Sequence, residues 1–293
     1  MLDFFSIALL TATLRMAAPL LFVALGGLLS ERSGVINIAL EGLMLMGAFA
    51  AAAGSYATGN AFFGLFAGIV AGALLACVHA FWCVTLRADQ IVTGTAIVLL
   101  STGLTAFLVL QIWDTAGGSP SVERLPAIGR GLNILVPVAF ALVPIVHYVL
   151  FRTTLGLRIM AAGEHPRAAE SVGLDVARYR YGCVIASGAL AGMGGAYLSI
   201  GDLSGFTTEM TAGRGFIALA AVIFGNWTPL GTLGATLLFG AAQAARFQVQ
   251  ALNFPVSQDL IIALPYIFTL VAITGLVRRS GAPAGLGKHA TAE

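Results

Sequence analysis

Residues 61–86 read AFFGLFAGIVAGALLACVHAFWCVTL and contain no aspartate, glutamate, lysine or arginine. A helix needs roughly 20 apolar residues to cross the hydrocarbon core of a bilayer, so this stretch predicts a membrane-spanning helix. Gly64, Gly68 and Gly72 recur within it at four-residue spacing. Small residues on one helix face let two backbones approach closely, and we expect this face to pack against another helix of the same chain.

The rest of the chain has the same apolar character. Hydrophobic residues make up 58% of the 293 positions and charged residues only 10%, against about 25% in an ordinary globular domain. So few charges cannot cover the surface of a soluble protein of this size. The composition therefore predicts a polytopic membrane protein and excludes a cytoplasmic enzyme, a nucleic-acid-binding protein and a disulfide scaffold.

Further candidate spans lie on both sides of this stretch. The segment 212–226 is short and the segment 35–53 carries Asn37 and Glu41, so each is a candidate for a broken or re-entrant helix. Because the backbone in a bilayer must satisfy its hydrogen bonds internally, we predict an all-α bundle. We expect eight to ten spans in a single transmembrane domain over residues 1–293. The candidate spans are residues 4–29, 35–53, 61–86, 91–113, 134–151, 180–200, 212–226, 230–250 and 257–277.

The basic residues give the orientation, because cytoplasmic loops carry an excess of arginine and lysine. Five arginines lie in the segment 152–180 and three basic residues lie in the tail 278–293. The loop 114–133 holds two arginines that are offset by two acidic residues. We therefore expect the segment 152–180 and the tail 278–293 to be cytoplasmic.

Two apolar runs of the chain resemble each other. Residues 34–39 (GVINIA) and residues 215–220 (GFIALA) each follow an arginine by one or two positions. The first run starts on the inner side and the second on the outer side, if the spans alternate as predicted. This is compatible with an inverted repeat, an architecture that places a transport path between two halves. Chance similarity in a chain rich in glycine, alanine and isoleucine is the alternative.

The cytoplasmic segment contains the signals of a short helix. Pro166 suits the first turn of a helix, where its missing N–H costs nothing, and Gly173 is a natural residue to end one. The pattern predicts a helix of under two turns between Gly163 and Gly173. So short a helix is marginal alone, and we expect it to dock against another protein.

This segment resembles a known motif. Gly163, Glu164, Pro166, Ala168, Ala169 and Gly173 are spaced as in the cytoplasmic coupling motif of ABC-importer permeases, in the family that transports branched-chain amino acids, simple sugars and nucleosides. His165 replaces the asparagine usual at its position. Three more stretches are similar to motifs of the sugar and nucleoside branch, namely residues 31–48 (ERSGVINIALEGLMLMGA), 88–94 (ADQIVTG) and 224–235 (FGNWTPLGTLGA).

The resemblance extends from about residue 15 to residue 277 and is strongest to a permease subunit of purine-nucleoside importers. It implies a type II ABC importer fold in a bacterial inner membrane. It also implies a second permease subunit, identical or not, a cytoplasmic ATPase pair and an extracytoplasmic substrate-binding protein. The six motif residues would contact the ATPase.

The sequence contains no nucleotide-binding, metal-binding or catalytic motif that we can identify. A phosphate-binding loop needs a lysine followed by serine or threonine, whereas the only lysine, Lys288, precedes His289. We therefore expect ATP and Mg²⁺ to bind a partner subunit, and no cofactor to bind this chain. No His/Cys metal cluster and no Ser/His/Asp pattern is present, so we predict neither a metal site nor an enzyme.

Polar residues inside spans are candidates for the substrate path, because a charge at bilayer depth costs about 3 kcal/mol. Glu41 either lines the path with Asn37, or pairs with Arg32 or Arg15 and fixes a helix break. Gln90 and Thr93 begin a span near the inner face, where they could line a gate. Helix packing is the alternative for Phe216 and Gln243, and a turn is the alternative for Asn226.

The sequence leaves the substrate open. Nucleosides are favoured by the resemblance, and simple sugars or branched-chain amino acids are the alternatives. An ion-coupled secondary carrier would need carboxylates near the bilayer midplane, for which only Glu41 is a candidate.

Overall fold

The computed structural model describes residues 7–129, 131–251 and 281–288, and in them the chain is mostly helical. The helices are α1 (Ile7–Arg32), α2 (Leu40–Thr58), α3 (Ala61–Ala80), α4 (Gln90–Trp113), α5 (Leu135–Arg152), α6 (Thr154–Glu164), α7 (Pro166–Ser171), α8 (Val176–Ala196), α9 (Arg214–Phe224) and α10 (Pro229–Ala251). The α3 and α8 helices each continue through one π-helical turn, Phe81–Thr85 and Tyr197–Asp202. Two short antiparallel strands, which were not predicted from the sequence, lie between α4 and α5: β1 (Ala127–Gly129) and β2 (Leu132–Asn133).

Six of these helices are long and apolar enough to cross a membrane: α1, α2, α3, α4, α5 and α8. The α9 helix has 11 residues and at 1.5 Å per residue reaches only about 16 Å, which fits the expected broken or re-entrant segment. The α10 helix has 23 residues and is long enough to cross, but it is not among the six helices that are also apolar enough. The all-α fold class is confirmed. The count of eight to ten spans stays a prediction, because the candidate span 257–277 lies outside the described residues.

The centre of the bundle is formed by α1 and by the close approach of α3 to α8. In α1 all the residues from Ala17 to Leu28 are buried, and α3 and α8 pack with their backbones in contact. A Cβ atom on Gly188 would overlap the backbone of Gly72 and the side chain of Ala76. The glycine stripe of α3 therefore packs inside the chain, as its spacing predicted.

The loops and short helices lie at two opposite ends of the bundle. One end, which we call the inner end because the sequence predicts its arginine-rich segment to be cytoplasmic, contains the C-terminus of α1, the α6–α7 segment, the α9–α10 turn and residues 281–288. At the opposite, outer end, the loop before β1 pairs with the chain that follows α8, where Ser119 N donates to Phe206 O over 2.8 Å. The arginine-rich segment and the described part of the tail thus lie at the same end, as the charge pattern predicted.

The two similar runs differ in structure. Residues 34–39 form an irregular connection between α1 and α2, whereas residues 215–220 lie in α9. The inverted repeat therefore gains no support from these runs.

Candidate functional site

The short helix between Gly163 and Gly173 is present, and local signals set its ends. Pro166 occupies the first turn of α7, and Gly173 has a φ of +84°, a left-handed conformation that favours glycine. His165 separates α6 from α7 with a non-helical backbone. The helix of under two turns that was predicted between Gly163 and Gly173 is confirmed as Pro166–Ser171. We call α6, His165 and α7 together the inner bracket.

One side chain anchors α7 to the bundle. Ala169 is buried against Ala162 of α6 and Val176 of α8. The remaining surface of α7 and its end is open, including Arg167, Ala168 and Glu170. Val172, directly after α7, is 81% exposed. These exposed residues leave one face of α7 accessible for contact with a second protein.

Two residues of the predicted coupling motif contact other elements of the inner end. Gly163 is buried, and a Cβ atom there would overlap the carbonyl of Arg32. Glu164 lies 3.9 Å from the Arg32 guanidinium and accepts a hydrogen bond from the Ala284 N–H over 3.0 Å. The motif therefore divides into residues that fix the bracket (Gly163, Glu164 and Ala169) and residues on its exposed part (Ala168 and Gly173), with Pro166 half-buried between them.

The connection between α1 and α2, residues 33–39, is a helix break at the inner end. Gly34 begins it with a φ of +96°. Gln90 Oε1 accepts a hydrogen bond from Ile36 N over 2.7 Å, and Asn37 Nδ2 donates to Ser187 Oγ over 3.0 Å. Both polar side chains are buried, so in this conformation they hold the break in place.

Glu41 caps the short α9 helix. Its two carboxylate oxygens accept hydrogen bonds from Gly213 N over 2.9 Å and from Gly215 N over 2.6 Å. A helix N-terminus has unpaired N–H groups and a partial positive charge, which a carboxylate satisfies. This geometry supports the structural alternative for Glu41. The expected partners were wrong, because Arg15 pairs with Asp202 over 2.9 Å and Arg32 approaches Glu164.

The turn between α9 and α10 contacts the end of α1. Asn226 and Trp227 both have a φ of +52°, an uncommon conformation for residues other than glycine. The Trp227 indole N–H donates to Glu31, and Arg32 Nε donates to Trp227 O over 2.7 Å. Asn226 Oδ1 accepts from the N–H of Gly281. Asn226 thus joins this turn to the C-terminal segment.

The remaining path candidates are not brought to one place. Thr93 is buried and its hydroxyl lies 3.0 Å from Cys83 Sγ. Phe216 is 47% exposed on α9, and Gln243 is half-buried on α10. Their role in a path stays a prediction.

Glu31 and Arg180 also hold the inner end together, and neither role was predicted from the sequence. Arg180 is buried and donates to the carbonyls of Ser33 and Lys288. The only signal in the sequence was an acidic residue and an arginine at the ends of apolar spans.

No metal centre is formed in the described part of the chain, where no three His, Cys, Asp or Glu residues come together.

The outer end carries a cavity of about 630 Å³. It opens between the end of α2 and the loop before β1, and both an acid and a base lie on its wall. Its lining residues are Ser55, Tyr56, Gly59, Ser121, Val122, Glu123, Arg124 and Ser204.

Comparison with known proteins gives a consistent result. A family model described as "Branched-chain amino acid transport system / permease component" matches residues 9–273. The chain is 39% identical to a guanosine ABC transporter permease protein of Bacillus subtilis, with 94% of both chains covered. It is 35% identical to a nucleoside ABC transporter permease protein of Lactococcus lactis, over 92% of both chains. It is 38% identical to a Haloferax volcanii protein named as a permease of a glucose ABC transporter, over 88% of this chain and 83% of that one.

Proposed function

Because this chain belongs to the permease components of the branched-chain amino acid transport system family, we propose that it is the membrane-spanning subunit of an ATP-driven importer of nucleosides. The observation that carries the proposal is the inner bracket. Its short α7 helix is anchored through Ala169 and presents an open face at the end of the bundle where the arginines lie. The protein is a multi-pass inner-membrane protein.

In this proposal, a partner protein that binds ATP supplies the energy for transport. The sequence contains no phosphate-binding loop, so ATP and Mg²⁺ bind a cytoplasmic ATPase pair, and this chain is not itself an enzyme. The open face of α7 is the contact with that ATPase. Closure of the ATPase would move the bracket as a rigid body, and the membrane helices with it.

Two further partners complete the importer. A second permease subunit, identical or not, forms the other wall of the path, and an extracytoplasmic binding protein delivers the substrate. The cavity at the outer end, with Glu123 and Arg124 on its wall, offers charged groups to such a protein.

The contact with the ATPase is tested by Val172→Glu. Burying an unpaired carboxylate in an interface costs several kcal/mol, so we expect recovery of the ATPase with the purified permease to fall roughly ten-fold or more. Since Val172 is 81% exposed, the amount of folded permease in the membrane should not change. Quantitative co-purification at equal permease amounts measures the effect.

Leu203→Glu is the matched control, because Leu203 is 49% exposed at the outer end. It introduces the same charge away from the proposed contact and should leave ATPase recovery unchanged. Equal recovery of the ATPase with the wild-type, Val172→Glu and Leu203→Glu proteins would rule out α7 as the docking site.

The substrate class is tested by uptake into proteoliposomes that contain the complete importer. Two of the three relatives above carry guanosine or nucleoside in their names, and this supports nucleosides over the glucose suggested by the third. We expect labelled guanosine uptake that requires ATP and is competed by unlabelled nucleosides but not by glucose. Uptake of glucose alone would contradict the nucleoside assignment, and uptake driven by an ion gradient without ATP would contradict the importer.

A further inference from the structure

Residues 281–288, here the C-terminal segment, lie against three separate elements of the inner end. Gly285 N donates to Gly163 O over 2.8 Å, and Ala284 N donates to the Glu164 carboxylate over 3.0 Å. These two hydrogen bonds hold the segment to the end of α6, directly before α7. The segment is therefore in contact with the inner bracket.

The same segment also contacts the helix break and the α9–α10 turn. Gly287 N donates to Gly34 O over 3.1 Å. The Lys288 carbonyl accepts from Arg180 Nη1 over 3.0 Å, and Arg180 Nε donates to the Ser33 carbonyl over 3.2 Å. At its other end, Gly281 N donates to Asn226 Oδ1. One stretch of eight residues thus joins the bracket, the break and the turn.

The fit between the segment and the bracket is close. Pro283 and Gly285 are buried. A Cβ atom on Gly285 would lie 2.6 Å from Gly163 O and 3.0 Å from Pro166 Cδ, so only glycine permits this approach. Because three of the contacts to the bracket and the break use backbone N–H groups of the segment, their geometry depends on its backbone path.

We propose that the C-terminal segment transmits the movement of the inner bracket to the break at residues 33–39 and to the α9–α10 turn. The inference rests on the proposed function, since the movement would come from the ATPase. The α7 helix is anchored through Ala169, and Gly163 at the end of α6 packs directly against the backbone of Arg32 and Gly34. The segment adds a continuous chain of hydrogen bonds from the bracket to both irregular parts of the inner end, and packed, hydrogen-bonded chains of this kind can carry coupling between sites. Its residues are positioning residues and do not touch the substrate.

The test compares two truncations of the full importer. Removal of residues 281–293 should leave the permease in the membrane and the ATPase bound, because Val172 and the open face of α7 stay in place. Substrate uptake should fall roughly ten-fold while ATP hydrolysis persists, so that more ATP is hydrolysed for each nucleoside taken up. Removal of residues 289–293 alone is the matched control and should leave uptake and hydrolysis unchanged.

A point variant keeps the test decisive if the longer truncation does not reach the membrane. Gly285→Val inserts a side chain where a Cβ atom already meets the bracket, and it should separate hydrolysis from uptake in the same way. Lys288→Ala is its control, because Lys288 is exposed and contributes its carbonyl to Arg180.

Normal uptake by Gly285→Val, or a parallel loss of ATPase recovery and uptake, would overturn the inference. In the second case the segment would be part of the docking surface or of the folded core. Failure of the proposed function is distinguished by the wild-type permease. If no ATPase co-purifies with the wild-type protein, the proposed function is wrong, whatever the variants do.

Discussion

Glu41→Ala is expected to remove most of the folded permease from the membrane. Glu41 is 7% exposed and accepts two hydrogen bonds from the first residues of α9. Alanine would leave these N–H groups unpaired in an interior without water. Hydrogen bonds to charged groups contribute about 1.5–3 kcal/mol each, so the loss is about 3 kcal/mol or more, a large part of a total stability of about 5–15 kcal/mol.

Asp89→Ala is the matched comparison for this prediction. Asp89 also accepts two backbone hydrogen bonds at a helix start, from Ile91 N and Val92 N, both over 2.9 Å. Asp89 is exposed, however, and water replaces its carboxylate there, so the expected cost is about 1 kcal/mol. The measurements are the yield of monodisperse permease and its Tm in detergent.

Glu41→Gln separates the two roles considered for this residue. Its amide oxygen can accept one of the two hydrogen bonds, so we expect a Tm between those of wild type and Glu41→Ala. Normal yield and Tm for Glu41→Ala together with lost uptake would show that Glu41 serves the substrate path and not the fold.

Gly188→Leu should be at least as damaging. The α3 and α8 helices touch through their backbones at this point, and any side chain on Gly188 would overlap the carbonyl of Gly72. A rotamer change cannot relieve a clash with backbone, so the helices must separate and lose the contacts along their whole interface. Overpacking of this kind costs about 3 kcal/mol or more, and we expect little folded protein after detergent extraction.

Gly182→Leu tests whether position or helix propensity causes the effect. Gly182 lies in the same helix, is exposed, and has no atom within 4 Å of the place where a Cβ would be. Leucine there favours the helix over glycine, so the Tm should stay the same or rise. Equal losses for Gly182→Leu and Gly188→Leu would refute the close approach of α3 and α8.

Among the parts that could be predicted from the sequence, α7 is the clearest. Pro166 fixes a helix start and Gly173 permits the left-handed turn that ends it, and both effects act within a few residues of the chain. The apolar stretches predicted α1, α3 and α5 for the same reason, because the bilayer acts on each span separately. The short length of the segment 212–226 correctly marked α9 as different.

The site was less predictable because its contacts join distant positions. Glu41 could be recognised as unusual, but nothing near it indicated that its partners were the N–H groups of Gly213 and Gly215. Likewise, Gly163 and Glu164 belonged to one motif with Pro166, yet the structure turns them toward Arg32 and Ala284.

By itself, the sequence determined the membrane environment, most spans, which segments share the arginine-rich end and the position of the short inner helix. These properties follow from local composition and backbone chemistry. Only the tertiary structure decided which side chain caps α9, which glycines bring helix backbones together and where residues 281–288 bind. Each of these pairings depends on elements far apart in the chain, and backbone N–H and C=O groups, which are the same for nearly every residue, provide many of the partners.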